Sequence, residues 1–221
     1  MIDMDNFMKY EFKKIPNDKL IENLMIFFEK MSKRRTVREF SDEDIPEEVV
    51  LKIIEAAATA PSGANKQPWF FYVVKDKNIK RKIREEAEKI ELKNYSKRFT
   101  DVMKQDLNIL RTNANKPFLE IAPYLIVVCK EKYEIIDGKK RKNYYVNESV
   151  GIALGFLIAA IHFAGLATVT YTPNPMHFVK VLLNIPENLS PIAILPVGYP
   201  KAGAEIPILH KKPLDKFIKI V

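Results

Sequence analysis

The sequence is poor in the residues on which most simple functional assignments rest. It has one cysteine, Cys129, so no disulfide can form within the chain, and its place in the apolar run YLIVVCK favours a core residue over a nucleophile. The three histidines, at positions 162, 177 and 210, stand at no metal-ligand spacing. There is no GxGxxG fingerprint, no GxxxxGK loop and no Gly-x-Ser-x-Gly elbow. A metal site, the common nucleotide loops and a serine hydrolase are therefore not indicated.

Positive charge exceeds negative charge by eight at neutral pH. Such an excess can serve nucleic acid or a membrane surface. The basic residues are interspersed with acidic ones, however, as in KDKNIKRKIREEAEKIELK, and few aromatic residues lie between them as stacking platforms. We interpret this stretch as a solvated helix face and expect neither a nucleic-acid partner nor a membrane.

One long apolar segment, SVGIALGFLIAAIHFAGL, covers residues 149–166 without a formal charge. It is long enough to be weighed as a membrane span. Because it contains His162, lacks a basic cluster at its far end and continues into a strand-like segment, we expect a helix buried on all sides. Together with the apolar tail that ends in Val221, it predicts an obligate homodimer. The N-terminus lacks the apolar core of a secretory signal, so we expect a cytoplasmic protein.

The apolar pattern predicts an α+β fold, with a sheet wrapped by helices. Helices are predicted over 18–32, after Pro46, and from Asp76 to about Tyr95, and strands over 69–75, 124–130 and the segment IAILPVGYP. The strands are spaced too irregularly for a βα barrel. No repeat or Gly/Ser-rich linker divides the chain, so we predict a helical arm over 1–33 and one domain over 34–221 that includes a C-terminal arm.

Three segments favour an anionic ligand with a flat ring. KRRTVREF groups three arginines around a threonine, namely Arg34, Arg35, Arg38 and Thr36. Arginine forks bind phosphate in a bidentate manner, and the small-residue turn at 61–64 offers open backbone N–H groups to an anion. In TVTYTP, Thr170 and Thr172 project to one side of a strand, where their hydroxyls can donate to ring heteroatoms.

The stretch RRTVREFSDEDIPEEVVLKIIEAAATAPSGANKQPW, with ILPVGYP and the C-terminal HKKPLD, resembles the nitroreductase superfamily of flavoproteins. Three segments, APSGA, ELKNYSKR…LRTNANK and TVTYTP, are more similar to its iodotyrosine deiodinase (halotyrosine dehalogenase) branch. The resemblance extends from about Arg34 to the last residue. It implies a nitroreductase-like FMN-binding fold with a mixed sheet wrapped by helices, in an intertwined homodimer.

The resemblance also implies a cofactor site for FMN. Its residues would be Arg34, Arg35, Thr36, Arg38, Pro61, Ser62, Thr170, Thr172 and Lys211. The three arginines would hold the phosphate and ribityl chain, the Pro-Ser pair would line the isoalloxazine, and Thr172 would have the catalytic role of hydrogen-bond donor to flavin N5. Lys211 stands where animal members carry an arginine, so it keeps the charge but loses the fork.

The implied substrate site would bind a halotyrosine. The Ala64 N–H would point at its phenolate, Glu91 would bind its ammonium, Lys116 its carboxylate, and Tyr95 would cover the zwitterion. Glu91 and Tyr95 are four residues apart, which places them on one helix face.

The implied activity is FMN-dependent reductive dehalogenation, iodotyrosine to tyrosine plus iodide, through one-electron flavin steps. The alternative is a general NAD(P)H-dependent nitroreductase or quinone reductase, which shares the cofactor and fold but lacks the trio Glu91, Tyr95 and Lys116. A flavin-binding or nucleic-acid-associated protein without turnover is a further alternative, suggested by the charge. The expected reductant is NAD(P)H, a reduced flavin or a ferredoxin partner.

Overall fold

The computed structural model describes residues 7–221 in two units, the first ending at Arg34 and the second spanning Arg35–Val221. The first unit contains helix α1, Asn17–Ser32, as the apolar spacing predicts. None of the residues of α1 is buried, and its predicted apolar face, including Leu24 and Phe28, is exposed. The first six residues of the predicted N-terminal arm lie outside the described part of the chain.

The second unit contains six helices and six strands in its described residues. In chain order they are α2 Glu47–Ala58, β1 Trp69–Val74, α3 Lys77–Lys93, α4 Asp101–Ile109, α5 Phe118–Ile121, β2 Tyr124–Glu131, β3 Tyr133–Ile136, β4 Lys139–Lys142, α6 Val146–Phe163, β5 Ala167–Thr168, α7 His177–Leu182 and β6 Leu189–Gly198. The helices predicted after Pro46 and Asp76 and the strands predicted at 69–75 and 124–130 are confirmed within one or two residues.

A four-stranded sheet, in the order β1-β2-β6-β5, is the centre of this unit. All its named strands pair antiparallel, and the parallel part of the predicted mixed sheet is a single bridge between Thr36 and Thr168. Strand β2 is buried on both faces. Leu125, Val127 and Cys129 belong to one core cluster, while the alternate residues of β2 belong to the other. Helices on both faces of a sheet give such a continuous apolar strand, and the α+β prediction is confirmed.

Side-chain caps fix where the helices near the candidate site begin. Asp76 accepts a hydrogen bond from the N–H of Ile79 (2.8 Å) at the start of α3, and Thr100 caps α4. The α-helical part of α3 ends at Lys93, and Asn94–Arg98 continues as a π-helical turn that carries Tyr95. Such turns re-aim side chains and often occur at functional sites.

Helix α6 is only partly covered. Val150, Leu157 and Ile161 are fully buried, but Ile152 and Phe156 are more than two-fifths exposed on the opposite side. The prediction of a helix buried on all sides is therefore wrong for the single chain, because only one of its faces contacts the sheet. Within residues 7–221, α6 is the one helix long and apolar enough to cross a membrane, a test that core helices also pass.

Two segments outside the central sheet have defined structure, the β3–β4 hairpin and the chain after β6. Asp137 and Gly138 close a separate hairpin, β3–β4, and both have positive φ (49° and 73°), as a type I′ hairpin turn requires. After β6 the chain is anchored by Ser41 N–H donating to Tyr199 O and Lys201 N–H donating to Glu39 O. Beyond residue 207 the apolar tail is exposed, with Ile220 at 91%.

Candidate active site

A cavity of about 890 Å³ opens in the second unit. Its walls come from the segment after Arg35, the end of α4 and the turn that follows it, the start of α5, and the segment after β6. The lining residues are Thr36, Arg38, Glu39, Ile109, Leu110, Arg111, Thr112, Asn113, Asn115, Pro117, Phe118, Glu205, Ile206, Pro207 and Ile208. The volume lies in the range of about 300–1,000 Å³ that is usual for ligand sites.

A buried ionic cluster adjoins this cavity. The Lys116 Nζ lies 3.7 Å from Glu91 Oε2, and the two residues are only 4% and 7% exposed. Lys116 Nζ also donates to Thr112 Oγ1 (3.2 Å) and to the carbonyl of Asn113, both of which belong to cavity-lining residues. Burial lowers the pKa of Lys116, and the Glu91 carboxylate partly restores it. The pair satisfies the rule that buried charges are paired.

Tyr95 closes one side of the cluster. Its hydroxyl donates to Thr112 O (3.0 Å), its ring packs edge-on against Phe99, and Lys116 Nζ lies 5.9 Å from the ring centre. Burial, and secondarily the Glu91 carboxylate, raises the pKa of the Tyr95 phenol. Tyr95 is therefore a neutral donor at physiological pH, and three of the four predicted substrate residues, all but Ala64, are together in the folded chain.

Hydrogen bonds to the backbone of Lys116 fix its position between α3 and α5. Its backbone N–H donates to Glu88 Oε1 (2.7 Å) on α3, and its carbonyl accepts from Leu119 in the first turn of α5. Glu88 is held in turn by Arg84, which also donates to Glu120 Oε2 (2.6 Å). This ion-pair network ties α3 to α5, so Glu91 and Lys116 are brought together by two elements that are fixed to each other.

Arg38 supplies the anion-binding feature of the cavity. It is half-buried, and in the described part of the chain no carboxylate or carbonyl accepts from its guanidinium. Burial lowers the pKa of Arg38, and the nearby Tyr95 opposes that shift. A half-buried cation on a cavity wall without a protein anion fits a ligand that brings its own negative charge.

The strand after β5 adds hydroxyl groups on one side. Tyr171 is buried and pairs with Ile194 through both backbone groups, while Thr170 and Thr172 are exposed on the other side of the strand. The bridge from Thr36 to Thr168 places this strand beside the arginine segment. Thr170 and Thr172 are not among the cavity-lining residues, so their assignments to FMN stay predictions. The cavity and the unpaired Arg38 fit FMN, which has an anionic phosphate.

The small-residue loop has an unusual backbone. Ala64, Asn65 and Gln67 have positive φ near 50°, and Ser62 Oγ accepts from the Gln67 N–H (2.9 Å). Such conformations cost free energy in residues other than glycine and often occur at functional sites. Among residues 7–221 no acceptor takes the Ala64 N–H. This N–H is therefore open to a ligand.

The loop does not line the cavity described above. It lies against the region before α6 instead: a Cβ on Gly63 would come within 2.6 Å of the Tyr145 ring, and Lys66 Nζ lies 3.8 Å from Glu134 Oε1. Pro61, Ser62 and Ala64 are thus not brought to the Glu91–Lys116 cluster within one chain.

The remaining predicted residues also fall into two groups. Thr36 and Arg38 line the cavity, and Arg35, just before them, is exposed. Lys211 is exposed on the C-terminal tail and is not among the cavity residues, while Arg34 is the last residue of the first unit. Their assignments to FMN stay predictions.

Two features of the cluster were missed in the sequence. Thr112 contacts both Tyr95 and Lys116, and the Tyr171 hydroxyl donates to Glu91 Oε1 (3.1 Å). For Thr112, a threonine in a turn, the sequence gives no indication of a functional role. For Tyr171 the sequence does give one, since it alternates with two threonines in TVTYTP and must therefore face the opposite side of the strand.

The fold and the cavity agree with the comparisons to known proteins. The nitroreductase family model matches residues 31–199, and the chain belongs to the nitroreductase family. The iodotyrosine deiodinase of Haliscomenobacter hydrossis is 50% identical over 207 residues, 93% of each chain. That of Nematostella vectensis is 47% identical over 194 residues, 87% of this chain and 74% of its own length.

A solved structure extends the comparison to three dimensions. The crystal structure of oxidized iodotyrosine deiodinase bound to FMN and 3-iodo-L-tyrosine superimposes with a TM-score of 0.76 at 34% identity, covering 88% of this chain and 100% of that one. The chain is therefore similar to iodotyrosine deiodinases both in sequence and in fold.

Proposed function

We propose that the chain is an FMN-dependent reductive dehalogenase of halotyrosines. The observation that carries the proposal is the cluster of Glu91, Lys116 and Tyr95, buried beside a cavity whose wall presents Arg38. A carboxylate, an ammonium and a phenol in one enclosed place match the two charges of an amino acid. General nitroreductase substrates carry no zwitterion, so they would not need this cluster.

The ion pair suggests how the zwitterion binds. Glu91 and Lys116 neutralise each other at 3.7 Å, beyond direct hydrogen-bond distance. When the substrate enters, its ammonium takes the place of Lys116 next to Glu91, and its carboxylate takes the place of Glu91 next to Lys116. The net charge of the cluster is zero before and after this exchange. The buried charges therefore remain paired throughout.

The reaction needs two electrons and one proton for each halotyrosine. Both electrons would be supplied by reduced FMN, in one-electron steps, the iodine would leave as iodide and the ring carbon would gain the proton. The chain's own residues orient the substrate. The zwitterion cluster would fix one end, the open Ala64 N–H would bind the phenolate at the other, and Thr172 would donate a hydrogen bond to the flavin.

The same proposal includes a homodimer. In one chain the loop with Ser62 and Ala64 is not part of the cavity near Lys116, so a complete site needs the loop of a second copy. The exposed apolar side of α6 and the exposed tail after residue 207 supply the surface for that contact. We further propose a cytoplasmic enzyme without nucleic-acid or membrane partners, reduced by NAD(P)H or by a reduced flavin or ferredoxin.

The test uses the FMN-loaded protein, reduced under anaerobic conditions. It is mixed separately with iodotyrosine, bromotyrosine, chlorotyrosine and a nitroarene, while flavin reoxidation and released halide are recorded. We expect halide and tyrosine in equal amounts, one for each flavin oxidised. Rapid reoxidation by the nitroarene without any halide from the three halotyrosines would favour a general nitroreductase and overturn the proposal.

A further inference from the structure

Tyr171 lies at the centre of the ionic cluster without an assigned role. Its hydroxyl is 3.1 Å from Glu91 Oε1, its ring packs edge-on against the cavity-lining Phe118 with centroids 5.8 Å apart, and Lys116 Nζ lies 5.8 Å from its ring centre. The residue is 8% exposed. It thus contacts both charged members of the cluster as well as the cavity wall.

The two oxygens of Glu91 have separate partners. Oε1 accepts from the Tyr171 hydroxyl, and Oε2 faces Lys116. If Lys116 moves to the substrate carboxylate, Oε2 becomes available to the substrate ammonium, while the bond at Oε1 is not disturbed. Burial raises the pKa of the Tyr171 phenol, with the Glu91 carboxylate as a second cause, so the hydroxyl keeps its proton and remains a donor.

The backbone makes Tyr171 a rigid support. Its N–H donates to Ile194 O (3.0 Å) and its carbonyl accepts from the Ile194 N–H (2.8 Å), which fixes the residue to the central strand β6. Glu91, by contrast, lies two residues before the end of α3 and three before the start of the π-helical turn. The hydrogen bond from Tyr171 therefore ties the Glu91 carboxylate to the central sheet.

We propose that Tyr171 is a positioning residue that holds Glu91 for the ammonium of the amino-acid substrate. This inference rests on the proposed function, because it concerns the same substrate. The Tyr171 hydroxyl acts through Glu91, so its removal should affect ligands that carry an ammonium and leave halophenols unaffected. Thr170 and Thr172, which are assigned to FMN, lie on the opposite face of its strand. A structural effect of Tyr171 on this strand would alter FMN binding, so it can be separated by experiment from an effect on Glu91.

The decisive variant is Tyr171→Phe, which removes one oxygen and keeps the ring that packs on Phe118. Kd is measured by quenching of FMN fluorescence with iodotyrosine and with 2-iodophenol, which lacks the zwitterion. We expect the Kd for iodotyrosine to rise about ten-fold, as for loss of one hydrogen bond to a charged group. The Kd for 2-iodophenol and the FMN content should match the parent. Tyr124→Phe is the matched control, a fully buried tyrosine in the other core cluster.

A double-mutant cycle with Glu91→Gln guards against a folding defect. If Tyr171 acts through the carboxylate, Tyr171→Phe should cost much less in the Glu91→Gln background than in the parent. Unchanged iodotyrosine binding in Tyr171→Phe, or an equal loss for iodotyrosine and 2-iodophenol, would overturn the positioning role while leaving the dehalogenase proposal intact. A parent protein that binds FMN but not iodotyrosine would overturn both.

Discussion

Removing the cation from the zwitterion cluster tests the proposed site most directly. Lys116→Met keeps much of the side-chain volume but leaves Glu91 in a nearly closed environment, where within residues 7–221 the Tyr171 hydroxyl is its one remaining hydrogen-bond partner. Lys116 is 4% exposed, so water cannot replace the lost charge easily. A halotyrosine would then enter with an unpaired carboxylate. We expect its affinity to fall by about 2–4 kcal/mol, or roughly 30- to 1,000-fold.

The same change should reduce stability. Breaking a buried ion pair from one side typically costs about 3–5 kcal/mol, because the remaining charge has no partner. The double variant Lys116→Met/Glu91→Gln contains neither charge, so most of the stability should return while iodotyrosine binding stays weak. This opposite response of stability and binding separates the function of the pair from its contribution to folding.

The assay is a titration of FMN-loaded protein with iodotyrosine, paired with denaturant unfolding. Lys80→Met is the matched control: Lys80 is 3% exposed, and its Nζ donates to the carbonyls of Ala122 and Pro123 outside the cluster. It should lose stability but bind iodotyrosine like the parent. Lys116→Met binding iodotyrosine with parental affinity would refute the assignment, and the trio would then be a structural ion-pair site only.

Three other changes test other parts of the proposal. Thr172→Ala should lower the yield of half-reduced flavin about ten-fold in a reductive titration with a bound halotyrosine analogue, as loss of one shielded hydrogen bond predicts. Nitroarene reduction should persist, and an equal yield in both proteins would exclude Thr172 from the one-electron steps. Phe156→Glu, on the exposed side of α6, should convert a dimer into a monomer with weak FMN binding in sedimentation experiments, whereas Lys52→Glu, at an exposed position of α2, should not. Burial raises the pKa of Cys129 from 9.0 to about 12, so the folded state holds this proton longer and stability should fall as pH rises from about 9 to about 12. Cys129→Ala should flatten that part of the stability–pH profile, and an unchanged slope would contradict the shift.

Local sequence patterns determined the helices and strands, because helix caps and apolar spacing act within a few residues. The caps at Asp76 and Thr100 and the apolar spacing after Pro46 fix helices through contacts within a few residues. The continuous apolar run of β2 predicts a strand buried on both faces, because alternate residues must each meet a core. The family, and with it the residues Glu91, Tyr95 and Lys116, could be found from motifs that stay recognisable in the linear chain.

Only the tertiary structure decided how those residues meet. Glu91 and Lys116 are 25 positions apart, and their approach to 3.7 Å depends on the Arg84 network that joins α3 to α5. Tyr171 reaches Glu91 across 80 positions, because backbone pairing with β6 fixes the direction in which its side chain points. The coverage of α6 within one chain was not encoded in the sequence for the same reason: composition reports how apolar a helix is, but the number of covered faces depends on what packs against it. Side-chain pairing and burial between distant segments are set by packing of the whole chain, and no local pattern encodes them.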